Sequence, residues 1–153
     1  MRVLLCIDGY GTAELIQRAR ALLDLRQSEL LLLHVADTGP RSALELARGA
    51  IIGAPPLPPD RARELTAAER ARATAVIAEA EAQLGASGLR GEALLVSGVP
   101  ERQIVALAGQ RQADLVVLFA HRFGRAAPPG PRSVGHTARF VLDHAPCPVL
   151  LLR

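Results

Sequence analysis

The residues able to do chemistry fall just past short apolar runs. Asp8, Gly9 and Tyr10 follow the first run, Ala36 and Asp37 the second, and Gly98 and Val99 the third. After the fourth run come His121, Arg122, Arg125 and Arg132, then Gly135, His136 and Thr137 at the start of a helical pattern. A carboxylate such as Asp8 can accept hydrogen bonds from a sugar hydroxyl or an adenine amino group; equally, it can cap the first helix or its turn. A glycine ahead of a helix leaves free N–H groups at the positive end of the helix dipole, a usable phosphate site. Arginine forks can supply the counter-charge, or simply lie in solvent.

All 18 basic residues are arginine. The lack of lysine excludes a Walker-A phosphate loop, a Schiff base and a lysine nucleophile; it also fits a plain compositional bias. The net charge is +3, and arginines alternate with acids through Arg61–Arg72. With no like-charge block, and only Tyr10, Phe119, Phe123 and Phe140 as aromatics, a nucleic-acid surface is not supported. Cys6 and Cys147 lack metal or redox spacing and read as buried thiols in a reducing cytoplasm. No apolar run approaches a membrane span, so a soluble cytoplasmic protein is expected, with no membrane partner. Hydrolase and metal-pair motifs are absent. Ser97 and Ser133 have no evident His/Asp partners, and His34 reads as a core histidine.

The elements that must position these residues are legible as apolar runs at Arg2–Ile7, Glu29–Val35, Glu92–Ser97, Asp114–Phe119 and Val149–Leu152. Most are continuous, as strands covered on both faces should be. Helical spacing separates them: Leu15, Ile16, Ala19, Leu22 and Leu23; then Ala73, Val76, Ile77, Ala80 and Leu84; then Ile104, Leu107 and Ala108; then Ala138, Val141 and Leu142. Thr66 to Glu69 reads as a capping box opening the second of these. Residues 37–60, with a short helix over Ser42–Ile51, and the proline-rich residues 120–134 are long connections. The order demands right-handed crossovers and one α/β domain over 1–153, with an open, doubly wound parallel sheet. Ligands of such sheets bind at the carboxyl ends of the strands, where strand order reverses.

Val3-Leu4-Leu5-Cys6-Ile7-Asp8-Gly9, Leu33-His34-Val35, Gly98-Val99-Pro100, Ala113-Asp114-Leu115-Val116-Val117 and the ending His144-Ala145-Pro146-Cys147-Pro148-Val149-Leu150-Leu151 resemble the universal stress protein family. The resemblance implies five strands in the order 3-2-1-4-5 and a homodimer pairing its last strands, here Val149, Leu150, Leu151 and Leu152. It implies adenine-nucleotide binding, of ATP or AMP, with no metal beyond a magnesium accompanying the nucleotide. Asp8 matches an aspartate near the adenosine, and Val35 a strand end beside the adenine. Tyr10 replaces a common serine and can stack on a base or fill the pocket.

The family's glycine motif, G-x2-G-x9-G-(S/T), is degenerate in this chain. Gly135 and His136 take its last two positions when counted from the carboxyl end, which puts Arg125 and Arg122 at the other glycines. Counting forward puts Phe119 and Arg122 there, so the loop is three residues longer, with Gly124 as a shifted substitute. Side chains at those positions replace or obstruct a backbone phosphate cradle. Three readings follow: a dimeric stress-response or signalling module binding a nucleotide or other anion, a dimerisation scaffold without nucleotide, and a slow nucleotide hydrolase.

Overall fold

The structure, a computed structural model, describes residues 1–37, 59–121 and 134–153, with side chains in the second stretch from Thr66 onward. The elements run β1 (Arg2–Ile7), α1 (Thr12–Leu22), a 3-10 turn (Leu25–Gln27), β2 (Glu29–Asp37), α2 (Pro59–Ala86), β3 (Gly91–Gly98), α3 (Pro100–Gln110), β4 (Leu115–Phe119), α4 (His136–His144) and β5 (Val149–Leu152). All strand pairings are parallel, in the order β3-β2-β1-β4-β5. This is the doubly wound sheet expected. The short helix expected over Ser42–Ile51 lies outside the described residues.

Alternation along the buried strands divides the core. Val3, Leu5, Ile7, Leu30, Leu32 and Val117 face α1 and α2 and meet Leu15, Ile16, Ala19, Ala80 and Leu84. Leu4, Leu31, Leu33, Val116 and Leu118 face α3 and α4 and meet Ile104, Leu107, Ala108, Ala138 and Val141. Each fully buried leucine contributes about 1.5–3 kcal/mol of apolar transfer free energy. The central strand carries three residues of zero exposure, Val3, Leu4 and Leu5, so both helical layers are anchored on β1.

Two boundaries and the burial of two leucines differ from the sequence reading. Thr66 does not open α2, which begins seven residues earlier at Pro59. Proline suits the first helical position, and the arginine, alanine and glutamate that follow propagate the helix. Strand β2 does not stop at Val35, because Ala36 and Asp37 still pair with Ser97 and Gly98 of β3. Leu22 and Leu142, counted among the apolar positions, are exposed.

Those registers make a step at the carboxyl end of the sheet. Ile7 pairs with His34, and Leu5 with Val117, so β1 ends level with Phe119. Beside it, β2 and β3 continue together through Asp37 and Gly98. The edge of the sheet is therefore recessed at β1 and β4, where the strand order reverses.

Candidate functional site

Asp8, Gly9 and Tyr10 form the turn that leaves β1. The Asp8 carboxylate accepts the backbone N–H of Tyr10 at 2.9 Å. It therefore caps its own turn, while the N-cap of α1 is Gly11 and has no side-chain cap. Gly9 has φ +83°, a conformation that favours glycine, and a Cβ there would lie 3.0 Å from Val76 of α2. The turn is thus pressed against α2, and the same helix holds Tyr10: Arg72 Nη2 donates to the Tyr10 hydroxyl at 3.0 Å. Tyr10 is exposed at the mouth of the recess, with its hydroxyl engaged by Arg72.

On the other side of the recess, two hydrogen bonds pin the chain where it leaves β4 and returns to α4. Ala120 donates its N–H to the Leu152 carbonyl at 2.8 Å, and Gly135 donates to the Ala120 carbonyl at 2.7 Å. A Cβ on Gly135 would stand 3.3 Å from that carbonyl oxygen, so glycine permits the close return. Gly135 is the N-cap of α4, again without a side-chain cap, and the first turn of α4 holds no acid. Its amides and dipole present a positive end to the recess. His136 opens the helix and is exposed, with half-buried Thr137 next to it.

Glu101 was missed by the sequence reading. It lies in the first turn of α3, 13% exposed, and accepts from His136 Nε2 at 3.3 Å. The two residues are 35 apart in sequence, and the packing of α3 beside α4 on one face of the sheet brings their first turns together. Val35 and Phe119 contribute half-buried side chains on opposite faces, Val35 toward α3 and α4 and Phe119 toward α1 and α2. Arg122, Gly124, Arg125 and Arg132 lie outside the described residues.

The remaining candidate groups have structural partners. His34 is buried and its Nδ1 donates to the Ile7 carbonyl at 3.1 Å. His144 Nδ1 donates to the Phe140 carbonyl at 2.9 Å, and its ring stacks on Phe140. Burial pushes the thiol of Cys6 up and, with the charge of Asp114, that of Cys147. Both are held neutral and are poor nucleophiles. Among the described residues no group of three or more His, Cys, Asp or Glu could hold a metal, and no helix is long and apolar enough to cross a membrane.

The universal stress protein family model matches residues 1–153. The chain belongs to the universal stress protein family. It is 31% identical over 152 residues to the universal stress protein in the QAH/OAS sulfhydrylase 3′ region of Thermus aquaticus, covering 99% of this chain and 97% of that one. It is similar to the solved universal stress protein UspA of Lactobacillus plantarum, 25% identical with a TM-score of 0.71, over 100% and 97% of the two chains. The same fold occurs in an Archaeoglobus fulgidus universal stress protein solved with dAMP (18% identical, TM-score 0.64, 100% and 98% covered). It occurs also in universal stress proteins solved with cAMP (19%, TM-score 0.62) and, from Arabidopsis thaliana, with AMP (18%, TM-score 0.62).

Proposed function

We propose that this universal stress protein is a dimeric stress-response or signalling module that binds an adenine nucleotide in the recess over β1 and β4. One observation carries the reading. The Asp8 turn and the uncapped start of α4 flank the point where strand order reverses, one offering a carboxylate and the other helix amides. A nucleoside needs an acceptor for its hydroxyl or amino groups, and its phosphate needs N–H donors. Family members solved with cAMP, dAMP and AMP support this assignment.

The test is to denature the purified protein, identify released ligand by mass spectrometry, and titrate AMP and ATP by calorimetry. Asp8→Asn keeps an oxygen for the Tyr10 N–H but removes the charge; it should weaken nucleotide binding about tenfold while the melting temperature holds. No released nucleotide, and no heat with millimolar AMP or ATP, would overturn the reading.

Dimerisation rests on a separate observation. Among the described residues strand β5 pairs only with β4, and Val149, Leu150 and Leu151 remain half-buried along an edge of the sheet. A second copy pairing there would remove an apolar edge from solvent. Sedimentation should give a dimer that Leu150→Arg converts to monomer; a wild-type monomer at micromolar concentration sinks this part alone.

A further inference from the structure

Among the described residues most acids in ion pairs face arginine: Glu14 pairs with Arg18, Glu29 with Arg2, Glu92 with Arg111 and Asp143 with Arg139. Glu101 differs. It is the least exposed of these carboxylates, and among the described residues its partner is the imidazole of His136 rather than a guanidinium. It belongs to α3, whose own N-terminus it suits, yet it reaches the first residue of α4. A poorly solvated negative charge thus sits one imidazole away from the amides that would receive a phosphate.

We propose that Glu101, lodged against His136, is a specificity-determining residue that makes the nucleotide site select a single phosphate over a polyphosphate. The proposal rests on the nucleotide-binding reading above. Repulsion from a fixed carboxylate grows with each phosphate on the ligand, and low exposure keeps solvent from screening it. The first turn of α4 can hold one phosphoryl group through its amides. Every further phosphate adds charge beside Glu101 without adding helix donors. The His136 ring itself is exposed, 82% accessible, so the carboxylate and not the imidazole is the group shielded from solvent.

The experiment is calorimetric titration of wild type, Glu101→Gln and His136→Ser with AMP and with ATP, without divalent metal and at low salt. Wild type should bind AMP more tightly than ATP. E101Q, equal in shape but uncharged, should raise ATP affinity roughly three- to tenfold and leave AMP within about twofold. H136S keeps the carboxylate, so ATP must remain the weaker ligand even if E101Q proves poorly folded. If both nucleotides bind and E101Q leaves their ratio unchanged, or if H136S brings them to parity, selectivity by Glu101 is wrong and nucleotide binding stands. If neither nucleotide binds any of the three proteins, the site reading fails and the selectivity fails with it.

Discussion

The two ends of the sheet are built to different rules. At the amino end, polar groups meet across the strands: Arg2 pairs with Glu29, its backbone N–H donates to Asp114 at 2.6 Å, and Arg111 grips Glu92 through both terminal guanidinium nitrogens. Backbone bonds join the same region, from Glu29 to the Met1 carbonyl and from Asp114 to the Arg2 carbonyl. At the carboxyl end, α1, α3 and α4 all begin without a side-chain cap, and the turn after β1 runs through a positive-φ glycine. Among the described residues, one end pairs its charged groups with one another, and the other starts three helices without a side-chain cap, a local arrangement that costs helix stability.

That contrast breaks if a change at one end behaves like a change at the other. The largest effect is expected at the recess. Gly9→Ala forces a side chain into φ +83° and within 3.0 Å of Val76, so it should cost about 1–2 kcal/mol in chemical denaturation. It should also weaken nucleotide binding about tenfold, because Asp8 and Tyr10 move with the turn. Loss of stability with affinity untouched would show that the turn is scaffolding alone. A smaller effect is expected at the amino end. Asp114→Ala removes the acceptor for Arg2 N–H and should cost about 1 kcal/mol, with nucleotide affinity within about twofold of wild type. A large affinity change there would mean the two ends are coupled through β1.

Much of this architecture is legible because strands covered on both faces must be apolar throughout. Leu30 to Leu33 reads as a strand covered on both faces because the run is continuously apolar, and the wall of Val3, Leu4 and Leu5 follows the same logic. The boundaries that differ are those where tertiary pairing overrides composition. Ala36 and Asp37 look like loop residues, but Ser97 and Gly98 extend alongside and keep them in the ladder. Thr66-Ala-Ala-Glu69 has the pattern of a helix start, yet the residues before it are themselves strong helix formers.

The site was legible in part. Asp8, Gly9, Gly135 and His136 announce themselves by lying at strand ends or before a helix. Whether Asp8 caps the helix or its turn is a question of angle, and its bond from the Tyr10 N–H decides for the turn. Glu101 is invisible for a different reason: as an acid in the first turn of a helix, it is fully accounted for by its own helix dipole. A clue was available in the topology, since two crossover helices on one face both start at the carboxyl end of the sheet. Arg72 was hidden in a run of alternating charges whose bland reading is a solvated face, and its bond to Tyr10 depends on how α2 lies over the first turn.

The bond from Gly135 to the carbonyl of Ala120 has a consequence for how such a chain can change. It staples departure and return to one point, on a strand that is itself tied to Leu152. Whatever is spliced between those two residues begins and ends at the same address, and the entropic charge for extra length rises only logarithmically. A change of composition or length between Ala120 and Gly135 therefore leaves the anchors of β4 and α4 in place, because the bonds that hold both ends are made by backbone groups outside the spliced stretch.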